Sequence, residues 1–173
     1  MSSRVDFTLE EWWLLQELPL MVSTTVLYAS SSGAGGTMQE ILAGATSLAN
    51  ASHTFPNNEL IQALMEPTED SRIFRRPPGL TSNTNKKERE EQLKKQTLAQ
   101  CERAADILFN KVESHEAREY KMWVMAVGGD VAAAVKEGGV LGLGAKRITE
   151  EEAHLLEEIA KALRYSAITP TSL

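Results

Sequence analysis

The chain has 173 residues, of which 42% are hydrophobic and 24% charged, with a net charge of −6 and one cysteine. That length supports one domain with a sizeable core. The acidic balance excludes wholesale nucleic-acid binding through a basic surface, and one thiol excludes a disulfide framework or a multi-cysteine metal site. The charge is also unevenly placed. Residues 1–80 hold four basic and nine acidic residues and no Lys, and from Leu18 to Asn58 the only formal charge is Glu40. A helix with a solvated face carries charges on it, so this stretch is expected to be central in the fold or covered by a second copy of the chain, and a homodimer is the expectation.

The first residues, Met1 to Trp13, lack the basic start and immediate apolar run of a secretory signal, so a cytoplasmic location is expected. Thr8-Leu-Glu-Glu11 is a capping box, with Thr8 as the cap and Glu11 reaching back to it. The helix it opens is expected to end or kink at Pro19, which has no N–H to donate. A second helical run covers 20–31. The whole uncharged stretch Leu18 to Gln39 is too rich in Ser, Thr and Gly for a membrane span, and its flanks are Glu17 and Glu40 where a span has Lys or Arg. Ser32 to Gly36 then breaks the chain.

Thr37-Met-Gln-Glu40 is a second capping box, opening a helix to about Ala51. His53 to Pro56 forms a turn, and Asn57 caps a short helix through Met65. Residues 66–85 form a proline-rich loop joining N- and C-terminal halves; a loop this long is mobile, binds a partner or marks a joint. From Lys86 to Val112 the stripe Leu93, Thr97, Cys101, Ala104, Ala105, Leu108 and Val112 recurs at helical spacing. Ser114 caps the next helix, whose stripe is Tyr120, Val124, Val127, Val131 and Val135, and Gly138-Gly139 stops it. Thr149-Glu-Glu-Glu152 is a third capping box, and Leu155, Leu156, Ile159 and Leu163 line the last helix. No segment alternates with the period of a strand. The expected fold is all-α, a single domain over 1–173 with six or seven helices, in which two pseudo-symmetric helical hairpins pack face to face.

The chemical motifs are incomplete. Gly139 to Lys146 has a Gly-rich loop, but Ala145 intrudes before the Lys, no Ser or Thr follows it, and a helix precedes it where a phosphate loop has a strand. Glu151-x-x-His154 matches one half of a di-iron pair, without the second half. Glu137 and Glu150 to Glu152 could converge on Mg²⁺ or Ca²⁺, although acids in a first helical turn also complement the helix dipole. His53, His115 and His154 are scattered, and Cys101 falls on an apolar stripe as a core residue. Trp12, Trp13 and Trp123 read as core or interface anchors. Arg72, Arg75 and Arg76, beside Ile73, Phe74 and Pro77, read as a solvated loop, with an acidic partner or the anionic face of a membrane as the functional alternative.

The second hairpin resembles the tellurite-resistance TerB-like family. The resemblance rests on Val127 to Glu137, Gly138-Gly139, Thr149-Glu-Glu-Glu152 and the Leu155 to Leu163 run ending Ile-Ala-Lys-Ala-Leu; Val22 to Asn50 follows the same outline loosely. It implies an all-helical fold of two pseudo-symmetric halves and a non-enzymatic stress-response or scaffold role near the membrane, with protein partners. It also implies a divalent cation held weakly by Glu137, Glu151 and Glu152, since the first-half acids of the family are mostly replaced here. The rival reading is a helical-bundle enzyme or small-ligand-binding protein. In it, Glu151, His154, Trp12, Trp13 and the loop 138–144 line one cavity between the halves.

Overall fold

The computed structural model describes residues 4–29, 34–67, 86–134 and 148–166. Among them are seven α-helices and no strand: α1 (Leu9–Ala29), α2 (Ala34–Ala49), α3 (Ala51–Thr54), α4 (Glu59–Met65), α5 (Lys86–Lys111), α6 (Ser114–Ala134) and α7 (Glu150–Ala162). A 3₁₀ turn at Arg4–Asp6 precedes α1.

The start of α1 follows the expected capping box. Thr8 N–H donates to Glu11 Oε2 at 2.7 Å, and Glu11 N–H donates to Thr8 Oγ1 at 3.2 Å. The first difference from expectation comes at Pro19, where the helix does not end. A single helix of 21 residues runs through it, with the proline buried. Proline removes the N–H that would bond the carbonyl four residues back, here that of Leu15. Tyr120 of α6 supplies the missing donor: its hydroxyl donates to the Leu15 carbonyl oxygen at 2.7 Å, in a fully buried setting. A buried carbonyl needs a partner, and this one receives it from another helix.

With α1 uninterrupted, it becomes the central strut. It touches α2, α4, α5, α6 and α7, and its buried residues, among them Leu14, Leu15, Gln16, Met21, Val22 and Ser23, face several directions. Two of its polar side chains are buried against neighbours. Gln16 Nε2 donates to the Leu64 carbonyl at 3.1 Å, satisfying a backbone acceptor at the open end of α4. The Thr25 hydroxyl bonds the Met21 carbonyl at 2.7 Å and the Thr97 hydroxyl of α5 at 2.7 Å.

The stripes predicted for α5 and α6 point inward as expected. Leu93, Thr97, Cys101, Ala104, Ala105 and Leu108 are buried, as are Tyr120, Val124, Val127 and Val131. Close approach is possible where α2 and α6 carry glycine. A Cβ on Gly44 would lie 2.9 Å from Val131 Cγ2 and 2.5 Å from Ser23 Oγ, and one on Gly128 would lie 2.9 Å from Val22 Cγ1. The hairpin α1–α2 thereby closes on α6, while α7 packs on α5, α6 and α1. The expected two hairpins do meet, though α2 covers α6 far more extensively than α7 covers α1.

Three helix boundaries differ in detail. The helix α2 opens at Ala34, so Thr37 falls inside it and not at its cap. Asn58, not Asn57, caps α4, accepting from Ile61 N–H at 2.9 Å. The buried Asn58 Nδ2 donates to the Glu116 carbonyl at 3.1 Å and to Glu119 Oε2 at 2.9 Å, anchorage that the solvent-exposed Asn57 does not have. Ser114 is the first residue of α6, and the Glu113 carbonyl occupies the cap position, accepting from Ala117 N–H at 2.9 Å.

Replacing Tyr120 by Phe leaves the Leu15 carbonyl buried without a donor, and denaturant unfolding is expected to show a loss of about 1–3 kcal/mol. In a Pro19→Ala background the restored N–H bonds that carbonyl, so the same substitution should cost much less. A double-mutant cycle measures the difference; additive effects would show that the hydroxyl does not replace the proline's donor.

The N-terminal turn is held to the end of α5 by Lys111, whose Nζ donates to Glu11 Oε2 at 2.7 Å and to the Asp6 carbonyl at 3.1 Å. The Lys111 bond first, then the Thr8 N–H, holds the Glu11 carboxyl below the usual glutamate range. A carboxyl whose folded pKa is depressed contributes stability above its unfolded pKa, and loses it as pH falls through the folded value. In a carboxyl-detected NMR titration Glu11 is expected to protonate below the exposed glutamates. Lys111→Met should move it up toward them.

Candidate functional site

The acidic turn at α7 is built by its cap. Thr149 Oγ1 accepts from Glu152 N–H at 3.2 Å, and Glu152 Oε2 accepts from Thr149 N–H at 2.8 Å and from the Thr149 hydroxyl at 2.9 Å. The box predicted from the sequence is therefore formed, and it draws the Glu152 carboxylate back onto the backbone in a buried position. Glu151, one residue earlier, is exposed. Glu137 and the loop 138–144 lie outside the described residues. Of the three glutamates proposed as cation ligands, the described pair thus differ in role: one is engaged in holding the helix start, the other stands in solvent. Among the described residues no group of three or more His, Cys, Asp or Glu side chains is placed to hold a metal ion.

His154 points into solvent and lies 3.9 Å from Glu158, which is ion-paired to Lys94 of α5. This pair ties α7 to α5. Trp12 and Trp123 are core residues, and Trp13 packs against the core. Glu151 and His154 are exposed where Trp12 and Trp123 are buried. Cys101 is buried, and burial pushes its thiol up to about 12, leaving almost no thiolate at neutral pH. His53 and His115 are exposed on separate elements. The basic run Arg72 to Arg76 lies outside the described residues.

A second buried carboxylate is a structural element that the sequence did not single out. Glu116 of α6 accepts from the backbone N–H of Glu59 at 2.9 Å and of Leu60 at 3.3 Å. It serves the free N–H groups at the start of α4, where the helix dipole also favours negative charge. Only the acid in a first helical turn was visible in the sequence; its target lies 57 residues away.

The feature least explained by internal packing is the outer face of α2. Ile41 is 48% exposed and Leu42 66% exposed. Ala45, Thr46 and Ala49 are exposed beside them. A groove of about 750 Å³ runs between α2 and α6, lined by Leu42, Thr46, Ser47, Asn50, Asp130 and Ala133 among others. Among its described lining residues the one charge is Asp130. The expectation that the uncharged segment lacks a solvated face thus divides in two. The α1 part is central and buried, whereas α2 presents uncharged residues outward.

No helix of the described residues is long and apolar enough to cross a membrane. No family model, curated protein or solved structure matches the chain.

Proposed function

We propose that the chain is a non-enzymatic, TerB-like interaction domain of the cytoplasm, acting as a scaffold in stress response and working as a homodimer through the outer face of α2. The observation that carries this reading is the run of exposed, uncharged side chains at Ile41, Leu42, Ala45, Thr46 and Ala49. A helix face bathed in water is normally charged, and exposed apolar patches mark interaction surfaces. A second copy fits this face better than a foreign charged partner. Residues 41–58 bear no formal charge, so two copies related by a two-fold axis meet without like-charge repulsion from this segment. The single carboxylate in the groove, Asp130, lies among Thr46, Ser47, Asn50 and Thr54, whose side chains offer donors to it.

A non-enzymatic role is favoured by what the described residues bring together. The histidines stand apart, the thiol is buried and protonated, and the two largest carboxylate anchors serve helix starts. In this reading the weakly held cation sits on Glu137, Glu151 and Glu152, with Glu151 the ligand most free to turn toward it.

Sedimentation velocity at roughly tens of micromolar protein is expected to show a dimer. The double substitution Ile41→Glu and Leu42→Glu should return it to monomer with an unchanged helical spectrum, because both side chains are exposed. A monomeric wild-type chain at that concentration would remove the self-association part. Titration calorimetry with Mg²⁺, Ca²⁺ and Mn²⁺ reads the cation part: heat abolished by Glu151→Gln supports it, and silence at about millimolar metal leaves the scaffold role alone.

A further inference from the structure

A different surface carries a site for a small ligand. Where α5 ends, α6 begins and the chain leaves α7, a pocket of about 350 Å³ is lined by Phe109, Ser114, Arg118, Lys121, Arg164 and Ser166, with Tyr165 and a few apolar residues. None of its described lining residues is acidic, in a chain whose net charge is −6. Three cations therefore converge where the overall balance predicts acids.

One of the three has a carboxylate partner and two do not. The Arg164 guanidinium pairs with Asp106 at 2.7 Å. Among the described residues Lys121 Nζ bonds the Arg164 carbonyl at 3.4 Å and no carboxylate, and the exposed Arg118 has no ionic partner. Arg164 is also the one non-glycine described residue with positive φ, at 51°. That left-handed geometry costs energy for a side chain of this kind and follows the end of α7, where glycine is the usual solution. Partial burial, then the neighbouring Arg164, make Lys121 easier to deprotonate than an ordinary lysine. Arg118 and Lys121 line one recess with no carboxylate in its described lining, and an anion supplies the missing charge. Helix C-termini at α5 and α7 also favour cations, at about half a charge each, but they hold no hydrogen-bonded carboxylate for Arg118 and Lys121.

We propose that this pocket binds a phosphomonoester, with Arg118 and Lys121 on the phosphoryl oxygens, Ser114 and Ser166 as further donors, and Phe109 against the organic part. Two features select this class over a simple carboxylate. The pocket leaves two positive charges unpaired, and a phosphomonoester carries about −1.5 to −2 near neutral pH. Phe109 is 82% exposed at the rim, an apolar wall that a bare inorganic anion does not use. Arg and Lys around phosphoryl oxygens, with hydroxyl donors, form charge-assisted hydrogen bonds stronger than neutral ones. The same chemistry is offered by a soluble metabolite or by a phosphatidic acid headgroup, and the test separates the two.

The experiment is a backbone amide NMR titration of the full chain at constant ionic strength with phenyl phosphate, with inorganic phosphate and benzoate in parallel. Phenyl phosphate should give saturable shifts confined to Ser114, Arg118, Lys121 and Ser166 and their neighbours, stronger than those from either control. Arg118→Gln and, separately, Lys121→Met should each weaken binding about tenfold, as loss of one charge-assisted bond does. Arg118 is exposed, so its variant keeps the fold, and a thermal melt verifies this for Lys121→Met. Phe109→Ala should bring phenyl phosphate down to the affinity of inorganic phosphate. Flotation with neutral vesicles containing phosphatidic acid forms the second arm. Binding there that needs the same two cations, without a phenyl phosphate response, assigns the site to the headgroup. Shifts that scatter over the surface, match those from benzoate, or survive both cation substitutions overturn the proposal, as does silence in both arms.

Discussion

The hydrogen bond from Tyr120 to the Leu15 carbonyl offsets the donor that Pro19 removes from the middle of the central helix. Proline in a helix interior costs about 3 kcal/mol, partly because one carbonyl loses its donor. In α1 that carbonyl is buried, so water cannot serve it. The phenol can, because α6 runs against α1 and brings Tyr120 to the gap, where it also packs edge-on to Trp123 at 5.7 Å. The contact is thus a condition on α1 and α6 together. If α6 shifted along α1 by one helical residue rise, about 1.5 Å, a hydrogen bond of 2.7 Å would be lost. Register between α1 and α6 is set at that point, and α2, α4, α5 and α7 pack on the pair so registered.

This explains which parts of the fold could be read in advance. Helical stripes and capping boxes are local: the apolar spacing of α5 and α6 and the pairs Thr8–Glu11 and Thr149–Glu152 are complete within a few residues, and they appear where periodicity puts them. Continuity through Pro19 is not local. Its compensating donor lies 105 residues from the acceptor it serves, and nothing near Pro19 distinguishes a rescued proline from a terminating one. The one-residue error at Asn57 has the same origin. Both asparagines can cap, and the choice of Asn58 is made by contacts with Glu116 and Glu119 of α6. The candidate pocket was also unreadable, since its residues come from two distant stretches, 108–121 and 164–166, and neither forms a motif by itself.

Uncharged sequence likewise has two structural meanings in one run. From Leu18 to Ala29 the absence of charge reflects a helix with neighbours on most sides. From Ile41 to Asn50 it accompanies side chains turned to solvent. Composition cannot separate the two, because hydrophobic burial within a chain and between chains imposes the same requirement. The fold separates them: α1 packs against five helices, while α2 keeps one open flank.

The distribution of opposite charges completes the picture. Acids are conspicuous in the sequence, yet the buried ones, Glu116 and Glu152, each satisfy backbone N–H groups at a helix start. Helix N-termini attract carboxylates for reasons internal to the fold, so an acidic cluster there is explained before any ligand is invoked. The cations around Arg118 and Lys121 differ in kind. Their pocket has no carboxylate in its described lining, Asp106 is paired with Arg164, and the chain as a whole is acidic. Charge that the fold does not itself neutralise is the better guide to a ligand, and by that measure the chemistry of this molecule lies at the junction of α5, α6 and α7, away from the glutamates that dominate its sequence.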